Sequence, residues 1–303
     1  MTVRRRQRLV LAIGLLLAAA GATTPASAAP LDQRVPAGAL LYVGWQAADA
    51  LAPAYAGSNL KGFLEASALP ALAVEIPDLL QQRSADPEMA AQLQFAASVL
   101  GPLWRHPTAL FVTAAGDQPG PPYRIGLLCE AGPDAAPLAR ALGQFAAALA
   151  DTSLKPTVAQ DTGCVAIAFG FPARDLLRIP APSLATNPDF ARAVRSPLPG
   201  LTATAPALLA YADMHAFLAS LDAFLAQRGL AGAQPAFHAV YDATGLSSIS
   251  QAGFAAGFAG KSWVQWANLG ITGPRRGIVR LIAPEPFDAA ALRMIPNDAV
   301  DLA

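Results

Sequence analysis

The chain has 303 residues, 54% of them hydrophobic and 14% charged, with 21 basic and 21 acidic side chains in formal balance. That length suffices for a substantial core in one large domain or two smaller ones. The charge balance argues against nucleic acid as a partner, since phosphate backbones demand a concentrated basic surface.

The chain opens MTVRRRQR, continues as the apolar run LVLAIGLLLAAAGA and then turns to TTPASAAP. Charged, apolar and small-residue segments in that order predict a secretory leader over residues 1–28, cleaved after Ala28 behind Ala26 and Ser27. The run from Leu9 to Ala22 is shorter than the roughly 20 apolar residues a membrane anchor needs. Arg5 and Arg6 lack the following aromatic of a twin-arginine signal, and no cysteine at the cleavage site supports lipidation. Loss of Arg4, Arg5, Arg6 and Arg8 leaves 17 basic against 21 acidic residues, a mildly acidic exported chain. No later run reaches membrane length without a Pro, Gly or charge inside it, so we expect no transmembrane helix in the mature chain.

The first predicted strand is the apolar end of VPAGALLYVGW, Val35 to Trp45. Short helical pieces follow over Ala47–Ala56, Ser58–Ala68 and Pro77–Arg83. A stronger helix is expected from Pro87 to about Leu100, with Asp86 as N-cap and Met89, Leu93, Ala96 and Leu100 as its apolar stripe. Gly101-Pro102 is expected to disrupt it. Strands at Ala109–Ala114 and Tyr123–Glu130, joined by GDQPGPP, form a hairpin. A helix from Asp134 to Ala150 carries Leu138, Leu142, Phe145 and Leu149, and the Cys164 strand, CVAIAF, follows. This order predicts the split βαβ arrangement of ferredoxin-like folds, with the first strand central between the third and fourth.

Residues 171–206 are proline-rich and read as a wrapped connection with one short helix at Asn187–Val194. The second half restarts with a strand at Ala207–Ala212 and a helix capped by Asp213, with Met214, Phe217, Leu218, Leu221, Phe224 and Leu225 on one face and Gly229 after its last turn. Three strands are expected at Gly245–Ala256, Ser262–Gly270 and Gly277–Ala283, pairing antiparallel. The fold class is therefore α+β in two subdomains: a ferredoxin-like split βαβ sandwich at 29–170, then, beyond the connection, an antiparallel meander with a helix across one face at 207–294. IPNDAVDLA, Ile295–Ala303, is a fainter copy of the opening strand and reads as the start of a truncated further unit.

Chemistry-bearing residues are sparse. His106, His215 and His238 are the only histidines, and none stands at metal-ligand spacing from another His, Cys or acid. His106 reads as part of a turn before a strand, His215 as an exposed residue of a first helical turn, and His238 as isolated. The serines of Gly245–Ser250 form no nucleophile elbow and alternate as in a strand. Gly253, Gly257 and Gly260 match no phosphate-binding loop and read as turns and bulges. Nothing in the spacing marks Asp189, Asp213 or Asp242 as an acid/base pair. Cys129 and Cys164 fall on opposite faces of their sheet, which predicts two free thiols in spite of the oxidising compartment. Trp263 and Trp266 point to opposite faces of one strand, so one of them lies away from the helix-covered side unless both sides are covered; it is a candidate contact for a carbohydrate or a protein. Pro274-Arg275-Arg276-Gly277 is a basic turn.

The chain resembles a family of uncharacterised bacterial proteins, expected to be extracytoplasmic and catalogued as a domain of unknown function. The resemblance rests on PAGALLYVGW, PLWRHPTALFVT (Pro102–Thr113), LATNPDFARAV (Leu184–Val194) ahead of ALLAYAD, and GPRRGIVRLI (Gly273–Ile282), and covers most of residues 35–283. It implies no catalytic residues, and members of the family continue beyond a segment like IPNDAV. The expectation is an exported binding or structural module of the envelope or periplasm, with no catalytic, cofactor-binding or metal-ligating residues and an envelope polymer or protein as partner. The alternative is an extracytoplasmic hydrolase with a site between the subdomains or in a missing C-terminal part.

Overall fold

The computed structural model describes residues 31–67, 95, 98–115, 123–149, 155–195 and 203–282. The leader at 1–28, the helical piece at Pro77–Arg83, most of the Pro87–Leu100 helix and the closing segment 295–303 lie outside the described residues. The protein is mixed α and β. Among the described residues eight strands form a single antiparallel sheet in the order β4-β5-β3-β2-β1-β6-β7-β8. They are β1 (Ala39–Trp45), β2 (Thr108–Ala114), β3 (Tyr123–Cys129), β4 (Thr157–Asp161), β5 (Cys164–Phe169), β6 (Ala205–Asp213), β7 (Ile249–Ala259) and β8 (Ser262–Ile271).

β1 is central, as expected, but its neighbours are β2 and β6, which rules out the split βαβ order. The reason lies in where the helices leave and return. Trp45, the last residue of β1, pairs with Thr108, the first of β2, so the intervening helices begin and end at one end of the sheet. A strand that restarts where its predecessor stopped must run back antiparallel, whereas a split βαβ unit needs a crossover to the far end. The second half repeats this: Asp213 closes β6 and pairs with Gln251 near the start of β7. Residues 207–271 thus extend the same sheet that residues 39–169 build.

Helices α1 (Ala48–Ala56) and α2 (Asn59–Ala66) follow β1. Ser58 caps α2 by accepting the Lys61 amide at 3.2 Å. Helix α3 (98–105) runs through Gly101-Pro102 rather than stopping there. A proline removes one intrahelical bond; here Val99 and Leu103, on either side, pack into the core with Leu138 and Leu142, which holds the turn together. Helix α4 (Ala135–Ala148) buries Leu138 and Leu142 on Cys129, Val165 and Ile167. Trp45 stacks on Trp104 with ring centroids 4.2 Å apart and donates its indole N–H to the Trp104 carbonyl.

Strand β4 was not expected. TVAQD is polar and short, and its pairing with β5 through the Thr162-Gly163 turn, not its hydrophobic pattern, makes it a strand. Beyond β6, helix α6 (Met214–Gln227) is capped as predicted, Asp213 Oδ1 accepting the Ala216 amide at 2.9 Å. Gly229, at φ +72°, ends it, with the Leu230 amide bonded back to the Leu225 carbonyl. Helix α7 (Gln234–Thr244) was missed although Phe237, Val240 and Tyr241 stand at helical spacing; none of its side chains is fully buried, and Phe237 and Val240 are exposed. The expected strand at Gly277–Ala283 is instead the short helix α8 (Gly277–Ile282), in which Val279 is fully buried. Six residues, one of them Arg280, are too few to separate the two periodicities.

The described part of the connection, residues 171–195, lies across one face of the sheet. Its helix α5 (Pro188–Ala193) starts at Asn187, whose Oδ1 accepts the Asp189 and Phe190 amides. Leu176, Leu184, Phe190 and Ala193 pack there on Tyr42, Ala109, Phe111, Leu128, Ala166 and Tyr211. Tyr42 and Tyr211 pair across β1 and β6, and the Phe190 ring meets both edge-to-face, at 5.6 and 5.5 Å. Gly253 lets α5 approach, since a Cβ there would overlap the Ala193 carbonyl. The opposite face carries α1–α4 and, at its other end, α6. Phe190→Ala should lower stability by about 3–5 kcal/mol, and Gly253→Ala should destabilise through lost contact between α5 and β7. The urea midpoint checks both, with circular dichroism confirming that the fold persists.

Candidate functional site

A cavity of about 440 Å³ opens on the face crossed by the connection, between β2, β3 and the segment that leaves β5. Local sequence builds it. Phe111 and Thr113 project from β2 and Arg124 from β3, where Arg124 pairs with Thr113. Gly126 makes room for the Phe111 ring, because a Cβ there would lie 2.5 Å from its Cζ. Gly170, at φ +86°, turns the chain out of β5 and over Arg124. Thr157 then pins the segment: its hydroxyl donates to the Phe171 carbonyl at 3.0 Å and accepts the Ala173 amide at 2.8 Å. Phe171, Pro172, Asp175 and Leu176 complete one wall and Pro36 another. Pro36 is held by its bridge to Ser183, with the Leu184 amide bonded to the Val35 carbonyl at 2.7 Å. The lining thus combines rings and prolines with one cationic, one anionic and one hydroxyl side chain, a small polar set in an apolar wall.

The histidines stand elsewhere. His106 Nε2 lies 2.9 Å from Asp134 Oδ2, and the same oxygen is 2.8 Å from Arg105 Nη2. Thr108 donates to the Leu103 and His106 carbonyls beside them. This network fastens the exit of α3 and the start of β2 to the first turn of α4. His238, which looked isolated in sequence, has Nε2 2.8 Å from Asp222 Oδ2 and links α7 to α6. His215 is exposed. None of the three lines the cavity. Asp189 contacts Arg192 at 3.1 Å, and Asp242 accepts the Ser247 hydroxyl at 2.6 Å. The structure does not bring Asp189, Asp213 and Asp242 into one cluster. Gly260, at φ +59°, makes the β7–β8 turn. Among the described residues no group of three or more His, Cys, Asp and Glu side chains is placed to hold a metal.

Trp263 and Trp266 do take opposite faces. Trp266 lies under the connection and donates its indole N–H to the Val194 carbonyl at 2.9 Å, and Trp263 packs edge-to-face on Phe258 at 5.0 Å. Sequence offered no reason to single out Arg124, which alternates with Tyr123 and Ile125 and so takes the face opposite theirs. Both faces of β3 are covered, and an arginine flanked by Tyr123 and Ile125 is the only local signal of that.

Cys129 and Cys164 are buried free thiols. Cys129 pairs with Val165, so its neighbour Cys164 points to the other face. Burial pushes the Cys129 thiol up to about 12, against an opposing hydrogen bond from Thr108. Burial also raises Cys164, with Arg34 opposing, and raises the Tyr42 and Tyr211 phenols.

No protein-family model, no curated protein and no solved structure matches the chain.

Two outcomes follow from the thiols and phenols. Native protein at pH 8 should react with a thiol-specific chromogenic disulfide far more slowly than the unfolded chain, which should titrate two thiols. A folded-state pKa raised above its unfolded value contributes stability that is lost as pH rises. The urea midpoint should therefore hold up to about pH 8 and fall from about pH 9 to 12.

Proposed function

We propose that the chain is an exported binding module of the bacterial envelope or periplasm, and that its ligand site is the cavity between β2, β3 and the connection. The observation that carries this reading is the lining: Arg124 and Asp175 share one cavity whose walls are Phe111, Phe171, Pro36 and Pro172. A guanidinium recognises a carboxylate and a carboxylate recognises an ammonium group, while rings and prolines hold an apolar body. That combination suits a zwitterion of amino-acid or short-peptide size. The leader pattern at 1–28 supports export, where such ligands arise from envelope polymers.

The other reading is a hydrolase built on His238 and Asp222 or on His106 and Asp134. Each pair supplies a base with an orienting acid, the second half of a triad. Neither borders the cavity, and His106 and Asp134 share their contact with Arg105, which suits a structural tie.

Isothermal titration of the mature protein with di- and tripeptides, free or blocked at their termini, tests the proposal. Saturable binding of the free forms is expected, weakened at least about tenfold by blocking the termini and by Arg124→Gln or Asp175→Asn. Mass spectrometry should recover the peptide intact. Binding indifferent to both substitutions would move the site elsewhere, and cleavage abolished by His238→Ala or His106→Ala would favour the hydrolase. Fractionation should find the protein outside the cytoplasm with Ala29 as its first residue.

A further inference from the structure

We propose that β8 is a self-association edge, pairing antiparallel with β8 of a second copy so that two sheets become one. The strand has ten residues, SWVQWANLGI, with no charge and no proline. Soluble proteins blunt their sheet edges with charge, proline, bulges or shortness. The opposite edge, β4, is blunted: it has five residues, ends in Asp161, and gives its Thr157 hydroxyl to the connection. Among the described residues nothing pairs with the outer side of β8.

The edge is also held in shape. On one face Trp266 donates to the Val194 carbonyl, and the Asn268 amide donates to the Ala193 and Arg195 carbonyls at 2.8 and 2.6 Å. At the β7–β8 turn the Asn59 amide of α2 donates to the Lys261 carbonyl at 2.8 Å. A strand fixed in this way loses little further freedom when a partner strand docks.

A second copy fits the side chains. Directly opposed residues in an antiparallel pair share a face, so a two-fold self-pairing centred on Trp266 sets Trp263 against the partner's Leu269, Gln265 against the partner's Ala267 and Val264 against the partner's Asn268. Trp263 and Leu269 are 37% and 39% exposed and lie on the same face, and this register covers each with the other. It brings no like charges together: Lys261 stands opposite the partner's Ile271, and the two lysines sit at far ends of the joined strands. The ligand cavity, on β2 and β3, lies clear of this edge, so the two proposals fail or stand separately.

Sedimentation equilibrium of the mature chain at about 100 μM should give the mass of a dimer, since a Kd of about 10 μM leaves most chains paired. Amides of β8 should exchange more slowly at that concentration than at one a hundredfold lower. The double variant Gln265→Lys with Ala267→Lys sets lysine against lysine and should be a folded monomer, as should Gln265→Glu with Ala267→Glu. An equimolar mixture of the two should recover the dimer mass. A monomeric wild type at about 100 μM, β8 exchange independent of concentration, or two folded variants that do not pair when mixed would each overturn the proposal.

Discussion

The antiparallel contact of β1 with β6 is the constraint on which the rest of the molecule depends. It joins two chain segments some 170 residues apart, so its loop-closure entropy must be offset by contacts made at the same place. Tyr42 and Tyr211 face one another there, and Phe190 presses on both rings edge-to-face. Each half leaves this seam in the same way: strand, helices at the end of that strand, then a hairpin that adds two strands outward. The result is an approximate two-fold about the Tyr42–Tyr211 pair, with Phe190 close to its axis.

The connection between the halves completes the design. A sheet with apolar rows on both faces must be covered twice. Helices cover one face, though Val43 and Leu110, paired at its centre, remain exposed. Among the described residues the other face has no long helix; the proline-rich connection covers it with single large side chains, Leu176, Leu184 and Phe190, seated between the strands. Where that segment first rises from β5 it does not close on the sheet, and the cavity with Arg124 and Asp175 is the space left between them. The candidate site is therefore a consequence of how the two halves are tied together, and no strand or helix carries it alone.

The chemistry around the histidines illustrates the same dependence. His106 and Asp134 are 28 residues apart and His238 and Asp222 are 16 apart, separations that match no catalytic or metal motif. Each pair forms because two elements dock, and each fastens those elements to one another. The raised Cys129 thiol has a similar origin: a cysteine at the end of β3 is an ordinary residue until α4 excludes water from it.

Local physical chemistry made much of this protein legible in its sequence. Asp213 announced its helix because a side-chain acceptor before a helix satisfies free amides wherever the helix sits. The alternation in YRIGLLC and the two apolar faces around Trp263 and Trp266 placed their strands and set Cys129 and Cys164 apart, since period-two geometry is local. Other elements were not read: β4 is a strand because β5 lies beside it, α7 is a helix whose apolar residues stay largely exposed, and α8 is too short to show a period. Strand order, the second covering of the sheet and the convergence of Arg124 with Asp175 were decided by the tertiary structure alone, because they depend on which distant segments share a boundary. Composition and local spacing carry no information about that.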